Sequence, residues 1–587
     1  MKTSPPGRSS RNSLFLNVTV IVPKYVLPIV LYSFRPAVGK RLAPAILRNG
    51  EPSMFDQQPF VTNFRRTMAS LLVATITLGP SVTPAFASAA KQSASATSTP
   101  IQYLVVIFQE NVSFDHYFGT YPNALNPPFE NKFVAISNTP TVNGLPTALL
   151  TNNPNLNPSN GAGASNPFRL DVLQAATADQ DHNYLDEQLA FDAGLMDLFP
   201  THAGSSKSQV MGYFDGNTVT ALWNYAQHFA MSDNSYGTTF GPSTPGLMNL
   251  VAGQTNGAVS NGNLPSDEVG GGPDGSLTVV GDPDPTGDVC SSPTRDQVTM
   301  TSNDIGDLMR AAGVTWGSFM GGFDLTVVNP NGTTGCARST KSNITGASPT
   351  DYIPHHSFLN YWASTSNPNH TRPASIAEIG NDGPANHNYD INDFFAAVNN
   401  GNQPSVSFLK APSYQDGHAG YSDPTDEQHF LVNTLNTLQK RPNWSSTAVV
   451  IMYDDSDGWY DHQMGPIVNT STGPADGLTG PGACGNAALA LAGANAGANP
   501  HALGRCGYGP RMPLLVISPW AKQNFVDHTV TDQTSVTRFI EDNFLGGQRL
   551  AVGSFDAIAS PIDQMFNFTK IRSNGTLILN PTTGNKH

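Results

Sequence analysis

Five apolar runs rich in β-branched residues constrain the fold of this chain more than any other feature of its sequence. Runs of this length and composition are typical of strands that are buried on both faces of a sheet. Helical patterns lie between them, so the alternation predicts an α/β fold with a mainly parallel central sheet flanked by helices. The predicted strands span residues 101–108, 314–320, 405–409, 447–453 and 512–518, and the predicted helices span 217–231, 303–312, 426–439 and 532–544.

Three long segments rich in Gly, Pro, Asn and Ser interrupt this pattern, at residues 123–165, 256–288 and 470–510. They carry no charge run and no repeat of fixed period, so we interpret them as long loop insertions and not as linkers between domains. The predicted strands come from both ends of this region and must share one sheet. We therefore predict a single domain at about 98–570, followed by a C-terminal tail at 571–587.

Residues 1–87 have the features of a leader that directs export. They carry ten Lys and Arg against two acidic residues, and an apolar run at 68–78 precedes Ala85-Phe86-Ala87. The run is too short to span a bilayer, and the small residues after it suit a signal peptidase. We expect a signal peptide that is cleaved near Ala87, and hence a secreted, periplasmic or cell-surface protein.

Two features of this leader leave alternatives open. The residues before Met54 or Met68 are explained most simply by a start codon assigned too far upstream. The adjacent Arg65 and Arg66 fit the charged region of a general secretory signal, and they also fit a twin-arginine signal that exports folded proteins.

Charge and cysteine content narrow the classes of partner and compartment. Removing residues 1–87 changes the formal net charge from −14 to about −22, which disfavours binding to the phosphate backbone of nucleic acids. The four cysteines lack the spacing of a zinc site, and in an exported protein they favour disulfides. Proximity along the chain favours the pairs Cys290–Cys336 and Cys484–Cys506 among three formal pairings.

Acidic and amide side chains follow directly after two of the predicted strands. Glu110 and Asn111 follow the first strand, and Asp454, Asp455 and Asp457 follow the fourth. Crowded carboxylates raise one another's pKa unless a cation or an array of donors compensates their charge. Carboxylate and amide oxygens are hard ligands, so the pattern predicts a divalent cation at the carboxyl ends of the strands.

A nucleophile and phosphate-binding groups are indicated by two further patterns. A turn at residues 237–246 holds Ser243 between glycines and prolines, and a rigidly held serine suits a nucleophile activated by a metal or a base. His182, His356 and His418 lie in loop-like sequence instead of on an apolar face. Beside the oxygen ligands, these histidines favour the recognition of a phosphate group.

The motifs that carry this chemistry occur in a fixed order: Glu110-Asn111-x-Ser113-Phe114-Asp115-His116, Gly241-Pro242-Ser243-Thr244-Pro245, Asp416-Gly417-His418, Tyr453-Asp454-Asp455-Ser456-Asp457-Gly458, Gly507-Tyr508-Gly509-Pro510-Arg511 and Phe539-Ile540-Glu541-Asp542-Asn543. In this order they resemble the bacterial phospholipase C and acid phosphatase family over about residues 100–545. The resemblance implies an alkaline-phosphatase-like fold and a catalytic role for the predicted domain.

The resemblance also implies roles for individual residues. One divalent metal ion, whose identity stays open among Ca, Mg, Mn, Zn and Fe, would be bound by Glu110, Asn111, Asp454 and Asp455. Ser243 would contact the ion as the nucleophile, with the neighbouring Thr244 as the alternative. The groups around the phosphoryl group would be His182, His356 and His418, and either of the last two could protonate the leaving alcohol.

The function implied is a secreted, metal-dependent phospholipase C that cleaves a phosphatidylcholine-type lipid to diacylglycerol and a phospho-head group through a phosphoserine intermediate. Larger relatives that cleave choline lipids carry extra β-rich domains, whereas about 40 residues follow Asn543 here, so a broad acid phosphatase acting on phosphomonoesters is an alternative. A calcium-dependent extracellular binding protein is an alternative of another class. The expected partners are a phospholipid or small phosphoester and transiently a membrane surface, with no nucleic acid and no stable transmembrane segment.

Overall fold

The computed structural model describes residues 97–261, 268–270, 277–468, 506–550 and 554–587. The predicted leader and signal peptide, and the greater part of the 470–510 segment, lie outside the described residues. The α-helices are α1 (Phe114–Phe118), α2 (Thr147–Thr151), α3 (Tyr184–Phe191), α4 (Phe199–His202), α5 (Thr220–His228), α6 (Ser243–Ala252), α7 (Ile305–Ala311), α8 (Ile391–Asn399), α9 (Pro424–Gln439) and α10 (Thr534–Phe544).

The strands form one large sheet, one smaller sheet and two short ladders. They are β1 (Tyr103–Gln109), β2 (Phe168–Arg169), β3 (Gly212–Tyr213), β4 (Ala230–Ser232), β5 (Ser235–Tyr236), β6 (Asn256–Ser260), β7 (Glu268–Gly270), β8 (Leu277–Val279), β9 (Asp284–Pro285), β10 (Gln297–Met300), β11 (Trp316–Met320), β12 (Asn388–Asp390), β13 (Val406–Lys410), β14 (Thr447–Tyr453), β15 (Leu514–Ile517), β16 (Phe525–Asp527) and β17 (Thr531–Asp532).

The central sheet has the strand order β12-β11-β13-β1-β14-β15-β4-β16. Every pairing in it is parallel except β14 with β15 and β15 with β4, which are antiparallel. Every residue of β14 is buried, as its continuous apolar sequence requires of a central strand covered on both faces. The predicted α/β class with a mainly parallel sheet is therefore confirmed.

Two local predictions are wrong, and both errors have a physical cause. The helix predicted at 217–231 ends at His228, because Ala230 and Met231 pair with β15 as strand β4. Sheet pairing here prevails over the local apolar periodicity. The sequence also predicts that Asp532 or Thr534 caps the helix at 532–544, but Gln533 occupies the cap position of α10 and makes no side-chain capping bond. Asp532 instead accepts hydrogen bonds from hydroxyl groups such as that of Thr238.

The segment at 256–288, which we interpreted as a loop insertion, contributes most of a second sheet. This sheet has the order β7-β8-β6-β10-β9. Residues of β10 are alternately half-buried and buried, as expected of a strand with one covered face. The predicted disulfide Cys290–Cys336 is confirmed, with the two Cα atoms 5.3 Å apart. Cys484, the predicted partner of Cys506, lies outside the described residues.

Strand register explains how the site is assembled. In the parallel pair β1 and β14, Gln109 lies opposite Tyr453, so the residues that follow each strand emerge side by side. Strand β13 lies on the other side of β1 and ends at Lys410. The carboxyl ends of these three adjacent central strands therefore meet at one edge of the sheet, which is where ligands of α/β folds bind.

The segment predicted as a C-terminal tail packs against α9. Gln439 Nε2 donates to the carbonyl oxygen of Leu577 at 2.9 Å, and Asn436 Nδ2 donates to that of Leu579 at 2.8 Å. Both leucines are buried. Among the described residues, no helix is both long enough and apolar enough to cross a bilayer.

Candidate active site

The acidic side chains that follow β1 and β14 converge although they are far apart in sequence. The backbone N–H of Asn111 donates to Asp454 Oδ1 at 3.2 Å, and the N–H of Asp455 donates to the same oxygen at 2.8 Å. Glu110, Asp454 and Asp455 each offer a carboxylate oxygen within 4.8 Å of the others, and all three are buried. The fold thus creates the cluster of acidic groups that the sequence predicts.

Ser243 faces this cluster from the first turn of α6. Its Oγ lies 3.0 Å from Glu110 Oε2 and 3.2 Å from Asp455 Oδ2. The hydroxyl of the neighbouring Thr244 donates instead to the carbonyl oxygen of His355 at 3.2 Å. Ser243, and not Thr244, therefore directs its hydroxyl at the carboxylates.

Helix α6 packs directly on the backbone that follows β14. A Cβ atom added to Gly246 would lie 2.2 Å from the carbonyl oxygen of Asp454 and 2.9 Å from Gln533 Nε2. Gln533 Nε2 itself donates to that carbonyl oxygen at 2.6 Å. The absence of a side chain at Gly246 is what lets the serine-bearing helix approach the acidic loop.

We expect Gly246→Ala to lower the free energy of unfolding by roughly 2 kcal/mol and kcat by about tenfold or more, because α6 must move away from Asp454 and carry Ser243 with it. Denaturant unfolding and steady-state kinetics measure the two effects. The control is Gly332→Ala, whose added Cβ meets no atom within 4 Å, although its φ of +84° disfavours alanine. Equal stability and activity of the Gly246 variant and the wild type would contradict the prediction.

Two of the predicted histidines lie together beside the acidic cluster. His182 Nδ1 lies 3.0 Å from the carbonyl oxygen of Gln180, to which it can donate, and 3.3 Å from Asp457 Oδ1, while Nε2 lies 3.4 Å from the side-chain nitrogen of Asn111. The ring of His418 is 5.8 Å from that of His182, and its Nδ1 lies 2.6 Å from the carbonyl oxygen of Ala419. His418 also offers a ring nitrogen within 4.8 Å of ligand atoms of Asp179, His182 and Asp457.

The third predicted histidine has a different environment. His356 is buried, and its Nδ1 lies 3.0 Å from Glu110 Oε1. Its neighbour His355 lines a cavity of about 430 Å³ together with His182 and His418. His355 and His356 are adjacent in a short turn, and the pattern of apolar residues in the sequence does not indicate which of the two faces a ligand.

The cavity mouth is strongly polar. Charged residues that line it are Asp179, Asp181, Asp282 and Arg295, and Pro242 brings the turn before Ser243 to its wall. In the described part of the chain, no large apolar side chain lines this cavity. A small polar group is therefore the ligand that the described walls suit.

Two buried charged residues of the site, Lys410 and Glu187, are not among those predicted from the sequence. Lys410, the last residue of β13, contacts Glu110 Oε1 and lies 2.8 Å from Asp454 Oδ2. Glu187 of α3 accepts from the N–H of Gly241 at 2.9 Å and from the hydroxyl of Ser456 at 2.7 Å. Glu187 thereby connects the serine turn to the acidic loop.

Burial shifts the titration of the acidic groups. It raises the pKa of Glu110 to about 7, with the Lys410 ammonium opposing the shift. Burial and a neighbouring carboxylate raise the pKa values of Asp454 and Asp455 well above the ordinary range. Such groups hold protons near neutral pH unless further positive charge stabilises their ionised form.

The surroundings of the three histidines shift their pKa values in opposite directions. Burial lowers the pKa of His418 to about 4 and that of His356 well below its ordinary value. Burial also acts to lower the pKa of His182, but Asp179 and other acidic neighbours outweigh it and raise that pKa. Of the three rings, His182 is therefore the one that its surroundings favour in the protonated form.

The donor set fits a divalent cation. Glu110, Asp454 and Asp455 supply three carboxylates, and hard oxygen donors of this kind bind Mg, Mn and Ca ions. The side-chain oxygen of Asn111 is buried and has no hydrogen-bond partner among the described residues, as expected of an atom reserved for a ligand. The cluster is therefore a candidate site for a divalent ion.

Comparison with known proteins supports the resemblance seen in the motifs. The "Non-hemolytic phospholipase C" of Pseudomonas aeruginosa is 25% identical over 452 residues, which cover 76% of this chain and 54% of that protein. "Phospholipase C A" of Mycobacterium tuberculosis is 22% identical over 494 residues, which cover 80% of this chain and 78% of that protein. The chain spans about half the length of the Pseudomonas relative.

A solved structure described as a protein in the alkaline phosphatase superfamily from Vibrio parahaemolyticus covers 80% of this chain and 74% of its own, with 11% sequence identity and a TM-score of 0.27. The α/β class of this chain rests on its own sheet topology. The sequence model of the Phosphoesterase family matches residues 101–545, which include β1, the serine turn and the acidic loop after β14. The chain therefore belongs to the phosphoesterase family.

Proposed function

We propose that this chain hydrolyses phosphoesters with Ser243 as the nucleophile. The observation that carries the proposal is the position of Ser243 Oγ, within hydrogen-bond distance of Glu110 Oε2 and Asp455 Oδ2 beside the histidine-lined cavity. Family membership supports the same chemistry. Where positive charge keeps these carboxyl groups ionised, the Ser243 hydroxyl is held against an acceptor for its proton.

The reaction proceeds in two displacements. Ser243 Oγ attacks phosphorus and its proton passes to Glu110 Oε2 or Asp455 Oδ2, while the bond from phosphorus to the alcohol oxygen breaks and a histidine protonates the departing alcohol. Water then attacks the phosphoserine and gives one proton to that histidine, and the bond from phosphorus to Ser243 Oγ breaks to release phosphate or a phospho-head group. The Ser243 oxygen takes back a proton, which restores the starting state.

The metal ligands in this proposal are Glu110, Asn111, Asp454 and Asp455, with Ser243 Oγ beside them. A divalent cation bound there would supply Lewis-acid chemistry, lowering the pKa of the Ser243 hydroxyl and neutralising charge on the phosphoryl oxygens. His182 and His418 lie where they can hold the phosphoryl oxygens, whereas His356 orients Glu110.

The substrate that we propose first is a phosphatidylcholine-type phospholipid cleaved in the manner of a phospholipase C. Two observations support it. The relatives are described as phospholipases C, and three of the four residues Asp179, Asp181, Asp282 and Arg295 at the cavity mouth are acidic. A head group that carries a positive charge is complementary to such a mouth. The acyl chains would remain outside the cavity, against the membrane surface.

A specific observation favours a second candidate, an acid phosphatase that acts on phosphomonoesters. The described cavity walls offer little apolar surface, and a phosphomonoester needs none. Assaying one purified preparation on phosphatidylcholine vesicles and on 4-nitrophenyl phosphate separates the two candidates. Turnover of the monoester alone would reject the phospholipase, and turnover of the lipid alone would reject the phosphatase.

A variant at the protein surface gives a second comparison of the lipid and monoester substrates. We expect Asp179→Asn to raise KM for phosphatidylcholine about two- to fivefold and KM for 4-nitrophenyl phosphate by a smaller factor. Both substrates lose a carboxylate that favours protonated His182, 3.7 Å away, whereas the cationic head group also loses an attracting exposed charge. The matched control is Asp382→Asn, an exposed carboxylate remote from the cavity. Equal changes in KM for both substrates would contradict a head-group role for Asp179.

We also propose that the protein is exported. The disulfide Cys290–Cys336 supports an oxidising compartment, since such bonds are rare in reducing cytosol. The predicted signal peptide supports the same location.

A further inference from the structure

We infer that Lys410 is a tethered cation of the metal centre, which supplies the positive charge that one divalent ion leaves missing and competes with that ion for two carboxylates. The inference rests on the proposed function, since it takes Glu110, Asp454 and Asp455 as metal ligands. It assigns to Lys410 a role that the sequence motifs do not indicate.

Position is the first argument. Lys410 ends β13, a strand whose other residues are also buried, and the lysine is only 1% exposed. Its ammonium contacts Glu110 Oε1 and lies 2.8 Å from Asp454 Oδ2. A long charged side chain is almost never buried so completely unless it is paired, and here both partners belong to the acidic cluster.

Charge balance is the second argument. Glu110, Asp454 and Asp455 together carry three negative charges when ionised, and one divalent ion supplies two positive charges. Lys410 supplies the third, so one ion and the lysine neutralise the cluster. Asp416 offers a further carboxylate oxygen within 4.8 Å of Glu110, and this carboxylate is stabilised by hydrogen bonds from the N–H of His418 and the hydroxyl of Tyr421.

The division of the carboxylate oxygens is the third argument. Glu110 Oε2 and Asp455 Oδ2 face Ser243, whereas Lys410 faces Glu110 Oε1 and Asp454 Oδ2. The lysine therefore holds the carboxylates together from the side away from the nucleophile. In the absence of a divalent ion it keeps the cluster assembled, and in its presence it repels the ion and weakens binding.

The decisive experiment compares Mn²⁺ binding by the chelator-treated wild type and Lys410→Met, using titration calorimetry. We expect Lys410→Met to bind Mn²⁺ at least about tenfold more tightly, because a competing unit charge next to the ion is removed. We also expect the melting temperature of its metal-free form to fall and to recover on saturation with Mn²⁺, by a larger shift than the wild type shows. Lys440→Met, at an exposed lysine after α9, should match the wild type in both measurements.

Equal or weaker Mn²⁺ binding by Lys410→Met would overturn the inference, since a lysine that merely fills space would, when replaced, disorder the ligands and weaken binding. Should the methionine variant fail to fold, Lys410→Gln, which keeps a hydrogen-bond donor without the charge, must show the same direction of change. A wild type that binds no Mn²⁺ would overturn the inference together with the proposed metal site. If the wild type binds Mn²⁺ and the variant binds it with the same affinity, the role of Lys410 is rejected and the proposed metal site stands.

Discussion

Ser243→Ala is expected to lower kcat/KM for phosphoester hydrolysis by roughly 10⁴-fold or more while the fold and Mn²⁺ binding persist. In the proposed mechanism the variant loses the atom that bonds to phosphorus, whereas the methyl group of alanine fits the buried space that Ser243 occupies. Steady-state kinetics, circular dichroism and calorimetry measure the three properties. A stopped reaction of the wild type, digested and examined by mass spectrometry, should carry its phosphate on Ser243.

Thr244→Val is the matched control for this experiment. The Thr244 hydroxyl donates to the carbonyl oxygen of His355 and does not face the acidic cluster, so its loss should cost less than about tenfold in kcat/KM. Phosphate found on Thr244, or substantial turnover by Ser243→Ala, would refute the assignment of the nucleophile. A wild type without turnover on any phosphoester would instead favour a calcium-dependent binding protein.

Removal of the metal should have the second largest effect. We expect dialysis against a chelator to lower kcat by roughly 10³-fold or more, and re-addition of about one divalent ion per chain to restore it, because the crowded carboxylates otherwise hold protons instead of a catalytic charge. Adding Ca, Mg, Mn, Zn and Fe ions separately identifies the preferred metal. Elemental analysis of the same samples gives the number of ions bound.

The variant Glu110→Gln tests whether the metal dependence arises at this acidic cluster. The substitution preserves the shape of the side chain and removes one charge, so both metal content and activity should fall together. Asp382→Asn removes a carboxylate that is 75% exposed and should change neither. Full activity of the wild type after the metal has been removed completely would eliminate the metal-dependent mechanism.

The fold was predictable where a single physical pattern dominates. The run at 447–453 is apolar throughout, and the strand β14 has these same bounds. Glu110, Asn111, Asp454 and Asp455 were predictable as neighbours because each follows a strand, and parallel strands end at one edge of a sheet. Their distances to Ser243 depend on how α6 packs, which no local pattern in the sequence encodes.

Other parts of the site could not be predicted because they depend on contacts between distant segments. Lys410 ends an apolar run, and a lysine at such a position indicates a strand end near solvent as readily as a buried ion pair. Glu187 lies on an ordinary helical pattern, and only the packing of α3 against the serine turn reveals its two hydrogen bonds. The five-stranded sheet around 256–300 is built from short strands that local composition did not distinguish from turns.

The site is assembled from three central strands and a separate helix. This assembly also determines when the proposed activity can arise. Asn111 and Asp454 are 343 positions apart, so a nascent or partly translocated polypeptide holds its reactive groups too far from one another to attack any phosphoester. If the protein is exported in an unfolded state, the proposed activity would arise only once folding is complete outside, and phosphoesters inside the cell would not be attacked. Transport of an already folded chain would forgo that protection and would require inhibition by other means, such as withholding the metal ion.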